Sequence, residues 1–144
     1  MIGYDWASAT TNGGYPASRP REFINGELFQ SLPEQLKSVI VPTRVISNYY
    51  SDYADSNYST TDYLYLLSYN EIDSNGPDYR LTKILDYYKT TDNDRTKYFN
   101  GNSYGWWLRT VGSGIAFYLV NANGSLEGNV SYIGYGIAPA FRIA

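Results

Sequence analysis

The chain has 144 residues, a formal net charge of −3 at pH 7, and neither Cys nor His. Those two zeros remove disulfides, thiol nucleophiles, thiolate metal sites, the commonest general base and the commonest zinc ligand, and a Ser or Thr nucleophile without a His partner is hard to activate. Hydrolytic triads are disfavoured on that ground, and the 11 basic residues are scattered rather than gathered into a stripe that a phosphate backbone would find, so no nucleic-acid partner is expected.

The length suits one domain, taken here as residues 1–144. No apolar run approaches the roughly 20 residues needed to cross a bilayer, so no membrane insertion is expected, and the N-terminus lacks the layout of a secretory signal. Tyr is the outlier in composition at 17 residues, beside abundant Ser, Asn, Asp and Gly. Tyr offers large contact area with few rotatable bonds and the small polar residues offer adaptable hydrogen bonding, which together are the chemistry of recognition loops. The alternative is that Tyr merely fills strands, where its propensity is high.

In chain order, residues 1–17 show no period and read as loop with one short edge strand at most. A helix is predicted from Ser18, which can cap it, with Pro20 in the first turn and Phe23, Ile24 and Leu28 at helical spacing; Gly26 weakens it. A second short helix is predicted over 33–39 and an extended stretch over 39–45. Residues 48–62 are a low-complexity run of Tyr, Ser, Asp, Asn and Thr that reads as a long surface loop. A strand over 63–67 leads into Ser68 and Glu71, which have capping-box spacing at the start of a helix that Asn75, Gly76 and Pro77 must end. Leu81, Ile84, Leu85 and Tyr88 suggest one more helical segment. Short strand-like runs then follow at 106–109, 116–120, 129–133 and 137–143, separated by glycines, with Asn123-Gly124 as a hairpin signal. Two or three short helices followed by a small twisted antiparallel sheet with long loops make an α+β domain.

Four segments, in order, carry a resemblance: Arg21-Glu22-Phe23-Ile24-Asn25; Leu66-Leu67-Ser68 with Glu71; Trp106-Trp107-Leu108-Arg109-Thr110; and Val120-Asn121-Ala122-Asn123-Gly124 with a closing Gly136-Ile137-Ala138-Pro139-Ala140-Phe141 run. They resemble a family of gut-bacterial and phage domains with Trp-Leu-Arg-Ser and Gly-Val-Arg-Pro-Ala motifs. The resemblance implies a C-type-lectin-like fold, related in outline to formylglycine-generating enzymes and to the variable proteins of diversity-generating retroelements. It also implies display on a phage particle or bacterial surface. Val111 departs from the family's Pro, and Ala138 from its Arg. The formylglycine-generating chemistry uses a pair of cysteines, which this chain lacks, so no enzyme and no cofactor is expected.

The candidate ligand-binding residues are Phe117, Tyr118, Asn121, Asn123, Ser131, Tyr132, Ile133 and Tyr135, which fall where such families vary. The competing reading is ordinary hairpin covering. Structural roles are expected for Glu71, Trp106, Trp107, Arg109, Pro139 and Phe141. Arg109 lies in an apolar run and is expected to need a carboxylate, for which Glu71 is the candidate, the rival being a solvent-facing Arg that binds ligand. One Trp is expected in the core, and the other fills the second side of the sheet, the favoured reading, or offers a stacking platform. Asp52, Asp55, Asp62, Asp92 and Asp94 match no calcium loop and read as solvated acids, so no metal is expected. The expected function is recognition of a protein or glycan receptor, with diversification by a retroelement as an extension of it. The alternative is an architectural virion protein whose Tyr-rich face packs against other virion subunits.

Overall fold

The computed structural model describes residues 13–48, 58–90, 94–130 and 133–144. It is an α+β arrangement of few short helices and small antiparallel sheets around one buried cluster. The first helical stretch runs without a break from α1 (Arg19–Phe23) through a π-turn (Ile24–Leu28) into α2 (Phe29–Ser31). Ser18 caps it by accepting from the Arg21 amide, and Pro20 sits in the first turn, where its missing N–H costs nothing. Gly26 falls inside the wider π-turn, so the helix accommodates it by loosening. A second helix, α3 (Glu34–Lys37), follows Pro33.

The extended stretch splits at Pro42 into β1 (Ile40–Val41) and β2 (Thr43–Ile46). β2 pairs antiparallel with β3 (Ser59–Asp62), which corrects the reading of 48–62 as loop throughout; residues 49–57 lie outside the described residues. That reading failed because Asp62, placed there among solvated acids, is buried and needed inside. Its carboxylate accepts from Nε and Nη2 of Arg21 at 3.0 and 2.7 Å. β4 (Tyr65–Leu66) is shorter than the predicted strand, because Asn25 intervenes at Leu64. The Asn25 side chain accepts from the amides of Tyr63 and Leu64 at 3.0 and 3.1 Å and donates to the Leu64 carbonyl at 2.7 Å. One helix face thus carries two polar clasps, Arg21 and Asn25, four residues apart.

The helix α4 (Tyr69–Ile72) opens with the reciprocal capping box: Ser68 accepts from the Glu71 amide and Glu71 accepts from the Ser68 amide at 2.8 Å. The helix expected around residues 81–88 does not form beyond a single 3-10 turn at Asp86–Tyr88. Buried Asp78 accepts instead from the Asn70 amide, its carbonyl closes a turn by accepting from the amides of Leu81 and Thr82, and the Leu85 amide donates to the Glu71 carbonyl at 2.9 Å, which diverts the chain from a helix.

The hairpin β5 (Lys97–Phe99) and β6 (Asn102–Tyr104) precedes a three-stranded sheet of β7 (Trp106–Val111), β8 (Ala116–Val120) and β9 (Leu126–Val130). β9 begins earlier than the predicted 129–133 strand because the turn at Asn121–Ser125 closes quickly, with Gly124 at φ 85° and the Asn121 amide on the Ser125 carbonyl at 2.7 Å. The predicted 137–143 strand is two short ones, β10 (Pro139–Ala140) on β4 and β11 (Arg142–Ile143) on β1. Both sew the end of the described chain onto its first half. Among the described residues no helix is long and apolar enough to cross a membrane.

Candidate functional site

β7 is the spine of the molecule. All six of its residues are buried, and both tryptophans are fully covered, so neither offers an exposed stacking platform. The Trp106 indole N–H donates to the Arg95 carbonyl at 3.0 Å, and the Trp107 ring meets Tyr135 edge-on at 5.1 Å between centroids. Between Trp107 and Val111 the register with β8 shifts, so residues 108–110 are released from that partner. Such an irregularity re-aims side chains. Here it aims Arg109 at Glu71, with Nη1 to Oε2 at 2.6 Å and Nη2 to Oε1 at 3.0 Å, while Nη1 also reaches the Leu66 carbonyl and Nε the Ile46 carbonyl. Burial works against the Arg109 charge, but Glu71 outweighs it and holds the guanidinium pKa above its ordinary value. Thr110 is turned the other way, donating to Asp78 at 3.0 Å and accepting from the Tyr69 amide at 2.7 Å.

Sequence reasoning missed two further anchors of this spine. Asn48 brackets Val111 with both halves of its amide, at 2.8 and 2.9 Å, as a strand partner would. Asp78 serves Asn70 and Thr110 together. For Asn48 the available signal was an amide placed just past the apolar Val45-Ile46 pair; Asp78, after Asn75-Gly76-Pro77, carried none.

At one end of β7 an open groove of about 340 Å³ is lined by Phe99, Ser103, Tyr104 and Tyr135, with Gly105, Gly134, Gly136 and Ala122 forming its small-residue walls. The hairpin β5–β6 brings Phe99 opposite Asn102 and sets Phe99 near Tyr104, 6.3 Å apart at 67°. Phe99 and Tyr104 are 42 and 45% exposed, so the rim faces solvent, and Tyr98, outside the groove on the same hairpin, is 65% exposed. Tyr135 is half-buried; its hydroxyl accepts from the Asn129 side chain at 2.9 Å, which fixes the ring. Gly105 must be Gly, because a Cβ there would lie 2.8 Å from the Tyr135 ring.

Of the six ligand-binding candidates that fall among the described residues, the groove takes Tyr135 alone. Phe117 is a correction: it is 1% exposed and part of the core, because it lies on the inward face of the central strand β8. Tyr118 is half-buried edge-on against Tyr69 at 5.0 Å. Asn121 and Asn123 spend their side chains on Ser125, shaping the turn. Ile133 is half-buried, and Ser131 and Tyr132 lie outside the described residues. Of the structural residues, Phe141 stands 42% exposed between β10 and β11, and Pro139 pairs with Leu66. Among the acids, Asp52, Asp55 and Asp92 lie outside the described residues, and Asp94 caps the Thr96 amide at 2.7 Å. No cluster of metal-ligating side chains occurs among the described residues.

Comparison with curated proteins and with solved structures finds no match. A family model does match, covering residues 2–144, and its description is "Domain of unknown function (DUF6273)". On a match of that extent, the chain belongs to the DUF6273 family.

Proposed function

We propose that this domain is a non-enzymatic recognition module with a C-type-lectin-like scaffold, binding a protein or glycan receptor through the aromatic groove. The observation that carries the reading is the solvent-facing pair of Phe99 and Tyr104 at a groove whose wall includes the fixed ring of Tyr135. Exposed rings of this kind gain apolar contact area at little side-chain entropy, and small residues beside them let a ligand approach closely. The absence of His and Cys supports a binding role over catalysis. Display on a phage particle or bacterial surface, with a retroelement acting on the Trp106–Ala144 segment and diversifying residues between Arg109 and Pro139, belongs to the same proposal. A reverse transcriptase gene beside a near-copy of that coding segment would support it.

The test is a binding screen of labelled domain on a glycan array and on intact bacterial cells, repeated with Phe99→Ala and Tyr104→Ala. Saturable binding that falls at least about tenfold in the variants, with the melting temperature unchanged, is expected. Equal binding by wild type and variants would overturn the groove as the site.

A second reading, an architectural virion subunit, is favoured by a different patch. Val39, Phe141 and Ile143 stand 38, 42 and 65% exposed along the pairing of β1 with β11. If that patch joins subunits, the domain sediments as an oligomer and Ile143→Ser returns it to monomer.

A further inference from the structure

A second cleft, about 360 Å³ and sharing no lining residue with the aromatic groove, opens over the ion pair of Arg109 and Glu71. Its rim carries Arg44 from β2, Lys83 from the segment just before the 3-10 turn, and Arg142 from β11. The pairing of β11 with β1 sets Arg142 opposite Val41, three residues before Arg44, so two guanidinium groups from different strands meet at one opening. All three side chains are exposed, and none makes a hydrogen bond or ion pair with a described residue.

The two carboxylates of the cleft are already engaged. Glu71 is held by Arg109, and Asp86 by Lys89. Four cationic side chains against two carboxylates leave two positive charges in excess, on a chain whose net charge is −3. Arg109 itself keeps one donor in hand. Nε, both Nη1 hydrogens and one Nη2 hydrogen have acceptors, while the second Nη2 hydrogen has none among the described residues. A buried guanidinium with a spare N–H, beneath two unpaired planar guanidinium groups, matches the forked geometry of a carboxylate or phosphate.

We propose that this cleft is an oxyanion-binding site, taking a ligand that presents a carboxylate or phosphate group to Arg44 and Arg142, with Lys83 adding charge at the rim. The site stands independently of the aromatic groove and would survive its failure.

The experiment is calorimetric titration of the whole domain at low ionic strength with two probes, inorganic phosphate and glucuronate. Saturable one-to-one binding of at least one probe is expected, and which probe binds separates a phosphate from a carboxylate ligand. Arg44→Gln with Arg142→Gln should weaken that binding at least about tenfold, and 0.2 M NaCl should weaken it several-fold. Both positions are exposed, so the double variant should melt as the wild type does. Arg19→Gln, at an exposed cation outside the cleft, should change nothing. Failure of both probes to saturate, undiminished binding by the double variant, or equal loss in the Arg19 variant would each overturn the proposal.

Discussion

β6 and β7 are neighbours in sequence, separated only by Gly105, and they use aromatic residues in opposite ways. Every residue of Asn102–Tyr104 is exposed, whereas every residue of Trp106–Val111 is buried. β7 shows no alternation because it is enclosed: β8 and Gly136 pair along its hydrogen-bonding edges, and α4, β4 and the 3-10 turn at Tyr15–Ala17 pack against it. The β5–β6 hairpin has no such cover. An aromatic residue therefore says little by itself about which way it faces; what is packed over the strand decides.

The comparison breaks most readily at its buried end. Arg109→Met would leave Glu71 as an unpaired carboxylate and strand the carbonyls of Leu66 and Ile46, and should cost about 3–5 kcal/mol in urea denaturation. Unchanged stability would show that the pair does not join α4 to the sheet. At the junction itself, Gly105→Ala puts a methyl against Tyr135 and 3.1 Å from the Val120 carbonyl, and should cost about 1–3 kcal/mol, read as a lowered melting temperature. Because Tyr135 must move, the same variant should also lose ligand at the groove. At the exposed end, Tyr98→Ser should shift stability by no more than about 0.5 kcal/mol, since its ring is 65% in solvent. A larger loss would place that ring in the scaffold.

The sequence was most legible where local rules suffice. The capping box of Ser68 and Glu71, the Ser18 cap and the Asn123-Gly124 turn all rest on partners within five residues. The need of Arg109 for a carboxylate was legible from the cost of burying a charge, and the geometry joins it to Glu71. What stayed hidden was long-range. Asp62 lies in a polar run and looks solvated until Arg21 reaches it from another element. Phe117 alternates with Tyr118 along β8, and alternation fixes that the two face opposite ways without saying which is covered. The groove was hidden for the same reason: the hairpin at 97–104 carries no motif, and its fold-back beside Tyr135 brings the rings together.

The pairing of Ile40 with Ile143 and of Tyr65 with Ala140 joins positions roughly a hundred and roughly seventy-five residues apart. Closing such loops comes late, because their chain entropy must be overcome before the contacts form. Until then the backbone edges of 40–41 and 65–66 stand open, and each is a template for pairing with another chain. Folding of this domain in a crowded setting is thus a race between two kinds of strand addition, one within the molecule and one between molecules. Dilution favours the first.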